Sequence, residues 1–85
     1  MEKDEARLSL KSLIEEEFPE LGDVDMDKNM CQEYGINSVS IIRLIVAAEA
    51  KFGISFNDYE LSLDDYESFG DLAMVIKDKV DKKED

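Results

Sequence analysis

The chain has 85 residues, room for one domain and one core, and a chain this short buries only roughly 60–65% of the surface its unfolded form exposes. Apolar residues make up 44% of it, enough to pack a core and too many for a disordered tail. Acidic residues number 22 against 10 basic ones, a net charge of −12 that repels nucleic acid and anionic lipid, because phosphate contacts rely on Lys and Arg.

A single proline, Pro19, and four glycines favour an all-α fold over a turn-rich β fold. Asp4 is the expected cap of a first helix whose apolar residues are Ala6, Leu10, Leu13, Ile14 and Phe18. Their spacing puts them on one face at 3.6 residues per turn. Phe18 precedes Pro19, and the residue before proline avoids helical geometry, so the helix ends there. Residues 19–36 have no clean period and read as a long loop pinned to the bundle by Leu21, Val24, Met26, Met30 and Ile36. Asn37-Ser38 opens a second helix that runs to Phe52 and stops at Gly53, with Asn as its N-cap and Gly as its left-handed terminator. A short third helix is expected within residues 58–64. Ser68-Phe69-Gly70-Asp71 resembles a capping box with Asp in place of Glu, opening a fourth helix with Phe69, Leu72, Ala73, Ile76 and Val80 inward. Lys77 and Lys79 are placed near the end of that helix, where cations suit its dipole. Residues 81–85 read as a disordered, solvated tail of a single domain spanning 1–85.

Cys31 stands alone, so no internal disulfide can form and a reducing compartment suits the chain; it is expected to sit partly buried in the loop. No apolar run approaches the roughly 20 residues that span a bilayer, and Met1-Glu2-Lys3-Asp4-Glu5 is unlike a signal peptide. A cytoplasmic monomer with no membrane or nucleic-acid partner is the expectation.

Catalytic chemistry finds few residues to use. The chain has no histidine, which removes the usual general base near neutral pH and any Ser–His or Cys–His nucleophile pair. A zinc site would rest on one cysteine plus carboxylates, and no glycine-rich phosphate loop is present. Asp23, Asp25 and Asp27 fit the first, third and fifth positions of a calcium loop, but Lys28 occupies the glycine position and Tyr34 that of the bidentate Glu. Neither catalytic nor metal-binding residues are expected. Tyr59 and Tyr66 read as half-buried edges of the core.

Ser38 is the informative position. A serine at the start of a helix is commonly just a capping residue, yet the same geometry displays its hydroxyl and favours a phosphodiester through the positive end of the helix dipole. Ile41, Ile45, Ala48 and Phe52 fall on the core side of this helix. Val39, Ile42 and Val46 fall on an adjacent flank, giving an arc too wide for a thin bundle to bury unless the loop or the third helix covers it. A partly exposed apolar stripe beside Ser38 is therefore expected, of the kind that marks an interaction surface.

Gly35-Ile36-Asn37-Ser38-Val39 resembles the Gly-x-Asp-Ser-Leu signature of acyl and peptidyl carrier proteins. Ala48-Glu49-Ala50-Lys51-Phe52-Gly53-Ile54 is similar to the end of that family's second helix, and the likeness extends over nearly the whole chain. The resemblance implies a four-helix bundle of acyl-carrier type, with a long loop between helices 1 and 2 and a short helix 3. It also implies that a phosphopantetheinyl transferase, using coenzyme A and magnesium, attaches 4′-phosphopantetheine to Ser38, with Gly35, Asn37 and Val39 framing the site. The arm would carry acyl or aminoacyl groups as thioesters between a loading ligase and a downstream transferase or synthase, and the carrier itself would not be an enzyme. Ser40 lies two places too far on to match the family serine.

Two departures stand out. Asn37 replaces the usual Asp, keeping the cap but losing a carboxylate that faces basic groups of the transferase, which puts the choice of transferase in doubt. The serine-led helix, acidic in fatty-acid carriers, here holds Arg43, Glu49 and Lys51, while acids gather in residues 15–33 and 57–71. Val39, Ile42, Arg43 and Val46 are the expected docking residues. Electrostatic complementarity governs partner choice, so this field suggests a stand-alone carrier for a dedicated pathway of secondary metabolism, with fatty-acid biosynthesis as the alternative. From a different class, an unmodified carrier-like binding or regulatory module also suits these residues.

Overall fold

Nineteen residues of the buried apolar set pack as one continuous core in the computed structural model, which describes residues 1–84 and side chains through Lys83. Four α-helices surround it: α1 (Lys3–Glu17), α2 (Met30–Tyr34), α3 (Ser38–Phe52) and α4 (Phe69–Glu84). The described residues contain no β-strand, only an isolated bridge between Asn29 and Ser68.

The apolar period of α1 becomes its buried face: Ala6, Leu10, Leu13 and Ile14 are all inside, followed by Phe18 at the C-cap. That face packs chiefly against α4 and then against α3. Glu2, not Asp4, occupies the N-cap position; Asp4 lies in the first turn, where its charge still suits the helix dipole. Pro19 opens a 3-10 turn, Pro19–Leu21.

The long connection is better tethered than its missing period suggests. Val24, Met26 and Met30 are buried. Backbone bonds stitch this stretch to the entry of α4, from Gly70 N–H to the Met26 carbonyl at 2.8 Å and from Met30 N–H to the Glu67 carbonyl at 3.0 Å. Each seals a polar group that would otherwise be left unpaired near the core. Tyr34 stacks on Phe69, with ring centroids 5.8 Å apart. Residues 30–34, read as loop, form α2 because the Asn29 side chain accepts the Cys31 and Gln32 N–H groups, both at 3.0 Å. A local cap at each end supports one short helix where periodicity cannot register one.

The short helix expected at 58–64 is instead two 3-10 turns, Asp58–Glu60 and Leu63–Asp65. Side chains divert the backbone there: the Glu60 carboxylate accepts Asn57 N–H at 2.8 Å and the Ser62 hydroxyl accepts Asp64 N–H at 3.3 Å. Tyr66 is buried and Tyr59 is 78% exposed, so neither is the half-buried edge expected of it. The capping box of α4 forms as read: Ser68 Oγ accepts Asp71 N–H at 3.3 Å and the Asp71 carboxylate accepts Ser68 N–H at 3.2 Å. The tail expected over 81–85 is instead the last turn of α4 as far as Glu84; Asp85 lies outside the described residues. Lys77 and Lys79 accordingly sit within the helix, bound to Asp81 at 2.8 Å and Glu60 at 2.9 Å, while Lys82 and Lys83 take the last turn.

No helix among the described residues is long and apolar enough to cross a membrane. Asp23 and Asp27, two of the three aspartates spaced like calcium ligands, pair with Lys11 and Arg7.

Candidate functional site

Three consecutive residues deliver Ser38 to the surface. Gly35 adopts a left-handed conformation (φ +66°) that ends α2 and that side-chain-bearing residues rarely adopt. Ile36 is buried and anchors the link to the core. Asn37 then caps α3, its side-chain oxygen accepting the N–H groups of Val39 at 3.0 Å and Ser40 at 2.9 Å. Such a cap contributes about 1 kcal/mol and fixes where the helix starts.

Ser38 is the first helical residue of α3 and is exposed. Capping falls to Asn37, and no described residue hydrogen-bonds the Ser38 hydroxyl. Ser40, by contrast, is half-buried and its hydroxyl donates to Asn37 Oδ1 at 3.2 Å. Two of the first-turn N–H groups are thus spent on Asn37, so an anion on Ser38 gains mainly from the helix dipole and not from a full ring of donors. The first turn of α3 has no acidic residue to oppose it.

The apolar stripe is present and uncovered. Val39 is 75% exposed, Ile42 43% and Val46 56%, whereas Ile41, Leu44, Ile45 and Ala48 on the other side are fully buried. Neither the long loop nor the 3-10 turns reach over it. Phe52 is only half-buried.

Arg43 has structural bonds that periodicity could not reveal. Its guanidinium donates to the Glu17 carbonyl at 2.6 Å, approaches the Glu17 carboxylate at 3.5 Å, and lies 4.7 Å from the centre of the Phe18 ring. It therefore closes the C-terminal end of α1 onto α3. Glu49 is similarly engaged, its carboxylate accepting Phe56 N–H at 2.8 Å. Cys31 is exposed on α2, contrary to the expectation of partial burial.

A helical bundle that displays an uncommitted hydroxyl at the head of an apolar-flanked helix has the architecture of a carrier, which offers a point of attachment. The sequence matches the family described as the phosphopantetheine attachment site over residues 9–76, from within α1 to within α4, and the chain belongs to that family. Its domain is the site of covalent 4′-phosphopantetheine attachment. Carrier domains of this kind are generally non-catalytic and work with a phosphopantetheinyl transferase and partner enzymes. No curated protein and no solved structure matches the chain. The residues around Ser38 fit the group: an exposed oxygen free of internal hydrogen bonds, the positive end of a helix, and an apolar flank beside it.

Proposed function

We propose that Ser38 carries the 4′-phosphopantetheine arm and that the protein, with no catalysis of its own, holds acyl or aminoacyl groups on it as thioesters within a dedicated biosynthetic pathway. The observation that supports this most directly is the exposed, unengaged Ser38 hydroxyl at the first position of α3. Bound, the group would supply a thiol on a long swinging arm. The chain's own residues start the helix at the right place (Asn37), turn the backbone toward it (Gly35) and present the apolar flank of Val39, Ile42 and Val46 to an incoming enzyme. A transferase, a loading ligase and a downstream transferase or synthase are the partners this reading requires.

Incubation with coenzyme A, magnesium and a permissive transferase tests the assignment by intact-mass measurement. One phosphopantetheine adduct on the parent chain and none on Ser38→Ala is the expected result. An adduct that persists in Ser38→Ala places the attachment elsewhere. A chain that no transferase modifies is instead a binding or regulatory module on a carrier fold. The neutral-to-basic surface of α3, with Arg43 and Lys51 against Glu49, favours partners other than those that meet an acidic serine-led helix.

A further inference from the structure

Residues 55–65 run between two buried residues, Ile54 and Tyr66, and hold to the bundle differently from the longer connection after α1. That connection is stitched to the entry of α4 by backbone bonds, from Gly70 to Met26 and from Met30 to Glu67. In 55–65 the backbone bonds stay within the segment or reach only its neighbour: Glu60 to Asn57 at 2.8 Å, Leu61 to Asp58 at 3.3 Å, Asp65 to Ser62 at 3.1 Å and Tyr66 to Leu63 at 3.2 Å. Among the described residues, side chains make every hydrogen bond to more distant groups. The Glu49 carboxylate on α3 accepts Phe56 N–H at 2.8 Å, Lys79 on α4 binds the Glu60 carboxylate at 2.9 Å, and the Tyr66 hydroxyl holds the Glu60 carbonyl at 2.7 Å.

The segment thus bridges α3 and α4, which pack more against α1 than against each other. Phe56, Leu61 and Leu63 lie partly buried on the core beneath it. It carries Asp58, Glu60, Asp64 and Asp65 and no base, so its own charges and those of a −12 chain push it outward. Lys79 is the one base that the described contacts bring against it. The ammonium meets Glu60 Oε1 and lies 4.9 Å from the centre of the Phe56 ring, and the two charged side chains are only 19% and 22% exposed. The same Glu60 oxygen accepts the Asn57 backbone and side-chain N–H groups at 2.8 and 3.0 Å, so one atom gathers both the turn and its fastening. We propose that residues 55–65 form a strap that opens as a unit while the bundle stays folded, with the Lys79–Glu60 pair as its clasp. Parts of a protein held by few buried contacts and local bonds open at lower free energy than its core. Ser38 stands outside the strap, fixed by buried Ile36 and the Asn37 cap, so the α3–α4 side of the core is uncovered with the site left in place.

Native-state amide exchange, followed by NMR, tests this. In the parent chain the amides of Phe56, Glu60, Leu61, Asp65 and Tyr66 should share one opening, easier than the unfolding that exposes the buried turns of α1, α3 and α4. Arg43→Met weakens contacts that lie wholly outside the strap, so it should speed exchange in the helices and leave the strap's rates unaltered. Lys79→Met should speed the strap about tenfold, as expected for loss of an enclosed hydrogen bond between charged groups. Glu60→Gln keeps an acceptor for Asn57 without the charge and should act in the same direction; circular dichroism confirms that each variant keeps its helices. Strap amides that respond to Arg43→Met as the helices do would show one cooperative unit and overturn the proposal. So would strap rates unaltered in both clasp variants. None of these measurements depends on modification of Ser38, so the carrier reading and the strap stand or fall separately.

Discussion

At Asn37 one side-chain oxygen does the capping, which leaves its neighbour's hydroxyl uncommitted. Replacing Asn37 by Ala should therefore cost about 1 kcal/mol in chemical denaturation and slow modification by fraying the first turn. Asn37→Asp preserves the acceptor and adds a carboxylate. It should leave stability nearly unchanged while speeding modification by a general-purpose transferase; an equal or slower rate would count against a role for position 37 in transferase choice. Gly70 is a different kind of constraint. Its φ is ordinary, but a Cβ there would come within 2.8 Å of Arg7 Nη1 and 3.0 Å of the Met26 carbonyl. The guanidinium can swing aside, but the backbone oxygen is tied by the Gly70 N–H itself. Gly70→Ala should lower stability by about 1–3 kcal/mol, measured by urea unfolding, despite the higher helix propensity of alanine.

Two contacts can be tested separately, one joining two helices and one within the connection before α4. Arg43 joins α3 to the end of α1 by a hydrogen bond and a ring contact. Arg43→Met keeps much of the stem but loses both, for an expected loss of about 1–2 kcal/mol. An Arg43→Glu exchange should shift partner preference. Its kinetics are to be read beside its stability, since the same change unfastens α1. In the connection before α4, the Tyr66 hydroxyl donates to the Glu60 carbonyl at 2.7 Å and ties the 3-10 segment together. Burial first, then the charges of Glu60 and Asp65, push this phenol up from 10.0 to about 12. A folded-state value above the unfolded one means the native chain holds the proton longer. The associated stability is complete below about pH 10 and is lost as pH rises toward 12. Thermal melts across that window should decline in the parent chain and flatten in Tyr66→Phe, a variant that starts lower for want of its hydrogen bond.

Over the whole molecule a charge of −12 opposes compactness, and the described ion pairs lie at the surface, where each contributes little. Salt should screen the net repulsion more than it weakens those pairs. The melting temperature at neutral pH is thus expected to rise between low and moderate ionic strength, where the screening length falls to about 10 Å at 0.1 M. A fall would mean that specific pairs such as Lys79–Glu60, the most enclosed of them, outweigh the diffuse field.

Residues with a strong local signal were legible in the chain itself. The faces of α1 and α4, the start of α3 at Ser38, its stop at Gly53 and the exposed flank of Val39, Ile42 and Val46 follow from spacing and capping chemistry. Those are properties of a few neighbouring residues, carried by 3.6-residue periodicity and single hydrogen bonds. Tertiary contact decided the rest. Asn29 turned part of a loop into α2, competing side-chain bonds broke an expected helix into two 3-10 turns, and α4 ran on past Val80. Arg43 found its partner 26 residues away at Glu17, and Lys83 comes against Gly53 only because two helices end at the same place. The difference is physical: periodicity and caps are set within a turn or two of chain. Which distant groups meet depends on how the buried faces pack, and no local pattern encodes that.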